Sequence, residues 1–236
     1  MKIWFLDNSG FAVAQGGLVL AFDYCNPRAL PGKTGLEGGV INQAELDSYK
    51  TSFLLFSHSH GDHVTEEAYK LRPSAFVVSF EMPARAPGVR LRPLEEYSGF
   101  GVTVRAFGST DLGVSFLVDA FGKRIFHAGD FNYWHWKDES TADEIAEARA
   151  LYEGVMRSLL PYAGTIDLSF YPVDPRMGED TMEGALDFAQ RMRPKFSIPM
   201  HMQGNKALAA RYAAEMEGRN LPARAIMARG GSFEIE

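Results

Sequence analysis

Leu54-Leu55-Phe56-Ser57-His58-Ser59-His60-Gly61-Asp62-His63 places three of the chain's six histidines within six residues, directly behind an apolar run. Leu54–Ser57 reads as the end of a buried strand, so the polar run begins where a rigid element stops and a loop is aimed. In extended backbone His58 and His60 point to the same side, which lets two imidazoles share one ion. Gly61 permits a sharp turn that brings Asp62 and His63 towards a second ion beside the first. Imidazole with carboxylate suits zinc, and also iron or manganese. A solvated loop accounts well for a lone histidine and poorly for His-x-His-x-Asp-His after an apolar strand.

Around this stretch the first half of the chain reads as short strands between turns: Ile3–Leu6, Ala12–Gln15, Leu18–Asp23, Phe53–Ser57, Ala75–Phe80, Gly101–Phe107, Val114–Val118 and Arg124–His127. Gly16-Gly17 makes a hairpin turn, and Thr65 caps a short helix over Glu66–Leu71 that Pro73 stops. The second half changes rhythm. Thr141 and Glu144 form a capping-box pair opening a helix to about Leu160, with Ile145, Ala148, Leu151, Tyr152, Val155 and Leu159 on its apolar face. Strands at Asp167–Tyr171 and Phe196–Pro199, helices at Met182–Met192 and Ala207–Met216, and closing strands at Arg224–Ala228 and Ser232–Ile235 follow. No linker divides the chain. The expectation is an α/β protein, a four-layer αββα sandwich in one domain over residues 1–236, with the strand pattern occurring roughly twice.

The hexapeptide resembles the hallmark of the metallo-β-lactamase superfamily, and the resemblance extends along nearly the whole chain. Asp7-Asn8-Ser9-Gly10 with Phe22-Asp23 looks like the family's opening hairpin and strand-end aspartate. His127-Ala128-Gly129-Asp130 looks like its strand ending in Gly-Asp, and Pro199-Met200-His201 like the last metal-binding histidine. Tyr171-Pro172-Val173 through His201 most resembles the branch of sugar-phosphate lactonases and related hydrolases. The resemblance implies the metallo-β-lactamase fold and a hydrolase cofactor of one or two zinc ions, with iron or manganese as options. It implies His58, His60 and Asp130 at one metal and Asp62, His63, Asp130 and His201 at the other, Asp62 and Asp130 being the catalytic carboxylates. Asp23 would orient a ligand imidazole from behind, or serve only as a turn residue. His127 reads as structural, since alternation sends it away from Asp130.

One family ligand is missing. Where a Gly-His-Thr-like turn is usual, this chain has Gly108-Ser109-Thr110-Asp111, and Ser109 is a poor metal donor. Asp111 could swing in, His135 could reach back from Asn132-Tyr133-Trp134-His135-Trp136, or a single ion could sit at Asp62, His63, Asp130 and His201; zinc with three protein ligands and a water remains an acceptable arrangement. Trp134 and Trp136 either wall a substrate pocket or pack their loop, and Arg176 either grips a phosphate or carboxylate or is a solvated surface residue.

Composition narrows the partners. The 236 residues carry a net charge of −6, no basic stripe and no inserted clamp for nucleic acid, which disfavours a nuclease or phosphodiesterase acting on a polymer. Single Cys25 forms no intrachain disulfide. Met1–Phe5 runs into polar residues with no export-signal pattern, and no apolar stretch approaches the roughly 20 residues that span a bilayer. A cytoplasmic protein acting on a small-molecule ester, lactone, amide or phosphoester is the expectation. A protein that binds metal without catalysis is the alternative. A di-iron oxidoreductase of this fold usually has Glu at the place of His60 and an added flavin domain.

Overall fold

Along Thr51–Phe56, Phe53 and Leu55 join one buried cluster while Leu54 and Phe56 join another. A strand apolar on both faces must lie between two layers, and the same alternation recurs at Ile3/Trp4, Val13/Ala12 and Leu20/Val19. The computed structural model, which describes residues 1–136, 139–225 and 228–235, resolves this pattern into two facing mixed sheets with helices outside, the metallo-β-lactamase fold expected from the sequence.

The first sheet holds β1 (Lys2–Asp7), β2 (Gly10–Gln15), β3 (Leu18–Phe22), β4 (Thr51–Phe56), β5 (Ala75–Ser79) and β6 (Val89–Leu91). The second holds β7 (Glu96–Gly99), β8 (Val102–Phe107), β9 (Ser115–Ala120), β10 (Lys123–His127), β11 (Leu168–Pro172) and β12 (Ser197–Met200). β13 (Ser232–Glu234) returns to the first sheet beside β1, giving the orders β13-β1-β2-β3-β4-β5-β6 and β12-β11-β10-β9-β8-β7. Each sheet joins an antiparallel part to a parallel one: β3 runs parallel to β4, and β10, β11 and β12 run parallel to one another.

Inner faces meet through aromatic contacts. Phe11 stacks on Phe170 at 4.4 Å, and His127 lies over Phe22 at 5.0 Å and 3°. His127 is thereby packed between the sheets, with Nε2 2.8 Å from the Ser9 carbonyl. Outside the second sheet lie α2 (Ala142–Leu159), α3 (Glu183–Met192) and α4 (Lys206–Gly218); Phe188 stacks on Phe126 and Tyr171, and Tyr212 shares a hydrogen bond with Ser197. Outside the first sheet the short helix α1 (Gln43–Asp47) and 3-10 turns at Gly35–Gly38 and Glu66–Lys70 supply Leu46, Leu36 and Ala68 to the second cluster. Burying each such aliphatic or aromatic side chain contributes roughly 1.5–3 kcal/mol.

Several expectations shift. The Glu66–Leu71 helix is 3-10 and ends at Lys70, too short for repeated i to i−4 bonding between its cap and Pro73. The α2 capping box is present, but the buried face is Tyr152, Met156 and Leu159, and Leu151 is exposed. That helix lies against the sheet along a narrower stripe than its composition suggests. β6 and β7 were not legible because they are short edge strands with polar, half-exposed residues. The expected strand Arg224–Ala228 includes residues 226 and 227, which lie outside the described residues; Ala223 makes a single bridge to Ser197. Among the described residues, no helix is long and apolar enough to cross a membrane.

The arrangement places the carboxyl ends of β3, β4, β8, β10, β11 and β12 at one edge of the sandwich. In order they lead into Asp23, the His58–His63 run, the Gly108–Gly113 loop, Asp130, Asp174 and His201. The crevice beyond the carboxyl ends of parallel strands is the usual place for a site in an α/β protein.

Candidate metal centre

Asp130 sits at the middle of this edge, almost fully buried. One carboxylate oxygen lies 3.4 Å from His58 Nε2, and the other lies 3.1 Å from His63 Nε2 and 3.7 Å from His201 Nε2. His58 Nε2 and His60 Nδ1 are 3.1 Å apart, so the two imidazoles do converge. On the opposite side, His201 Nε2 is 3.2 Å from Asp62 Oδ2. Donors about 2.0–2.1 Å from a shared tetrahedral ion lie roughly 3.3 Å from one another, and these spacings match such edges. His58, His63 and His201 are buried, whereas His60 and Asp62 face the opening.

The turn after β4 forms because the His60 carbonyl accepts the N–H groups of His63 and Val64. Gly61 is not required for it: its φ is not positive and a Cβ there would meet open space. Left-handed backbone instead falls at Asn8, Asp23 and His201, with φ of 42°, 45° and 59°. Asn, Asp and His tolerate that region better than other side chains.

Behind the donors stand two buried carboxylates. Asp23 accepts from the Ser57 N–H at 2.8 Å and the Ser57 hydroxyl at 2.6 Å, and faces His63 Nδ1 at 2.7 Å. Asp174 faces His201 Nδ1 at 2.9 Å and carries Arg176 on the same carboxylate. Each fixes its histidine with Nε2 turned to the centre. Asp174 and Asn8, whose amide donates to Asp62 Oδ2 at 3.0 Å, were missed by the sequence reading. The available signal was the pair Phe22-Asp23 and Val173-Asp174, each an aspartate just past a buried strand.

The other residues singled out from the sequence divide. Asp111 faces His60 Nδ1 at 4.0 Å, and His60, Asp111 and Asp130 form one donor group. His135 is not brought to Asp130: its buried ring faces Asp180 at 3.5 Å and Glu183 at 3.1 Å. Trp134 and Trp136 stand at 6.4 Å and 17° to each other, their indole N–H groups donating to the carbonyls of Asp130 and Arg176. With Thr110, Asp111, Asp130 and Arg176 they line a cavity of about 280 Å³.

The donors suit a cation. His63 Nε2 and Asp130 Oδ1 are buried and 3.1 Å apart, and among the described residues neither is satisfied by a well-formed hydrogen bond. Buried polar atoms left in this way cost free energy unless something else satisfies them. Burial opposes charge on His63, but Asp130 and Asp23 overcome it and push the imidazole up to about 10. Burial likewise opposes charge on His201, and Asp174 and Asp62 push it up to about 9. Burial raises the Asp130 carboxyl, and the surrounding histidines hold it well below the usual range.

Metal ligation needs neutral imidazoles. His63 and His201 have pKa values above 7, so both carry a proton at neutral pH in the metal-free protein and must release it. Uptake of a divalent metal at pH 7 is therefore expected to release about two protons. Calorimetric titration in buffers of different ionisation enthalpy counts them, and a count near zero contradicts this electrostatic picture.

The sequence model of a family described as "Beta-lactamase superfamily domain" matches residues 42–202, more than half of the chain. A protein of Carboxydothermus hydrogenoformans named a UPF0173 metal-dependent hydrolase is 26% identical over 232 residues, covering 89% of this chain and 88% of the relative. Among solved structures, Igni18, a metallo hydrolase of Ignicoccus hospitalis, aligns with a TM-score of 0.64 and 18% identity over 100% of this chain and 99% of that one. CmlA, a diiron β-hydroxylase of Streptomyces venezuelae, aligns with a TM-score of 0.63 and 14% identity, covering 99% of this chain and 54% of that one. One fold thus serves different chemistries, and the reaction has to be argued from the side chains.

Proposed function

Because the chain belongs to the β-lactamase superfamily domain family, we propose that it is a metal-dependent hydrolase acting on a small-molecule ester, lactone, amide or phosphoester. The observation that carries this reading is the convergence of His58, His60, Asp62, His63 and His201 on buried Asp130, together with the hydrolase relatives. One or two zinc ions held there, with iron or manganese also matching the donors, would acidify a water and polarise the scissile bond.

The remaining work falls to side chains. Asp62, half-exposed beside His201, is placed to accept a proton from the attacking group. Asp23 and Asp174 keep the ligand nitrogens aimed. Trp134 and Trp136 have their N–H edges committed to backbone carbonyls, which leaves ring faces to wall an apolar or sugar-like group. Arg176 spends Nε and Nη2 on Asp174, so a substrate phosphate or carboxylate would meet its remaining donors. A cavity of about 280 Å³ is at the small end for ligand sites, which supports a small molecule over a polymer.

The test is a panel of lactones, phosphodiesters and thioesters assayed with wild type and Asp62→Ala. Turnover of at least one class is expected, falling about 10²–10⁴-fold in the variant. Equal rates would rule out turnover at this centre.

A further inference from the structure

We propose that Asp111 is a metal ligand and takes over the function of the histidine that Ser109 replaces, so that the centre holds two ions with matching donor sets. The proposal rests on the metal-dependent reading above and extends it. One set would be His58, His60 and Asp111, the other Asp62, His63 and His201, with Asp130 shared between them.

Ser109 itself is turned away from this task. Its hydroxyl accepts the Asp111 N–H at 3.3 Å, so it shapes the turn that presents Asp111. That turn is fastened to the rest of the centre on both sides. Thr110 Oγ1 accepts the Asn132 N–H at 2.9 Å, which ties the loop to the segment following Asp130. At the other end the Val114 N–H donates to the Ser57 carbonyl at 3.0 Å. Gly113, at φ 75°, lies so close to Ser57 and His58 that a Cβ there would collide with the Ser57 carbonyl. The loop therefore cannot drift from the histidine and the aspartate with which its carboxylate would share an ion.

Distance and chemistry agree. Asp111 Oδ2 is 4.0 Å from His60 Nδ1, beyond an ideal tetrahedral edge by roughly 0.7 Å. Asp111 is exposed, so its two side-chain torsions are free to bring the carboxylate towards His60. Buried Asp130 completes the group with His60, its Oδ2 lying 3.4 Å from His58 Nε2 in the same set. His135, the competing replacement, is turned towards Asp180 and Glu183 instead. Three carboxylates, from Asp62, Asp111 and Asp130, then face two dications, which leaves one positive charge for an anionic nucleophile or substrate to neutralise.

The experiment measures metal content and affinity in wild type, Asp111→Ala and Asp62→Ala after equilibration with Zn²⁺ alone, and records electron paramagnetic resonance with Mn²⁺ alone. Wild type is expected to take up two equivalents and to give the multiline signal of a coupled Mn²⁺ pair. Asp111→Ala is expected to retain one equivalent, with a single-ion spectrum and at least a tenfold loss of affinity at the other site. Asp111 is on the surface, so thermal melting of the metal-free variant should match wild type. Two undiminished equivalents in Asp111→Ala, or one equivalent in wild type, overturn the assignment while leaving a hydrolase reading standing. No metal bound by wild type overturns both.

Discussion

Asp130→Asn is expected to leave the protein folded, with metal content below one tenth of an equivalent and hydrolysis at background. Asn keeps the shape of the side chain and removes its charge. Among the described residues, Asp130 is the one carboxylate within 4 Å of His58, His63 and His201 together, so its loss affects every ion the centre could hold. Removing a partner behind a metal ligand costs about 10- to 100-fold in affinity, and losing a ligand shared by two ions should exceed that. Elemental analysis after purification without chelator measures the outcome, and circular dichroism separates loss of metal from loss of fold. Full metal content in this variant would show that the carboxylate does not bridge.

Asp23→Ala is expected to produce the largest loss of stability of any single change at the site. The wild-type carboxylate is wholly buried and takes the Ser57 N–H, the Ser57 hydroxyl and His63 Nδ1. Alanine leaves the Ser57 N–H and His63 Nδ1 buried without this acceptor, the Ser57 hydroxyl keeping only His58 Nδ1 at 3.0 Å, a defect of about 3–5 kcal/mol. In a chain of this length that lowers Tm by roughly 6–20 °C. Burial raises the Asp23 carboxyl, and His127 and His63 more than offset it, so the group titrates below the ordinary carboxylate range. Its contribution is accordingly complete above that range and lost only as pH falls through the lower folded value. The gap between wild type and variant should thus be widest near neutrality and shrink in acid. A Tm shift under about 2 °C at pH 7 would mean that the Ser57 and His63 contacts contribute little.

The sandwich was legible because its strands are short, apolar on both faces and punctuated by turns, and because His58–His63 gathers four donors in one stretch. Distant donors were reached only through resemblance: nothing in the spacing of Asp130 and His201 from that stretch says that three strand ends share an edge. His135 shows the limit of proximity in sequence. It lies five residues past Asp130, yet its ring faces Asp180 and Glu183. Asp174 shows the opposite failure. Arg176 stands out in the sequence as an anion binder, whereas Asp174, two residues before it, orients His201 and occupies much of that arginine. Its role depends on β11 and β12 lying side by side, a pairing that residue composition does not encode.

The most direct test of a cation centre at this edge is anomalous diffraction at the zinc absorption edge from crystals equilibrated with Zn²⁺. Peaks about 2.0–2.2 Å from ligand atoms of His58, His60, Asp62, His63, Asp130 and His201 are the predicted result. A well-ordered crystal in which these side chains stay in place and no anomalous peak lies among them would contradict the account.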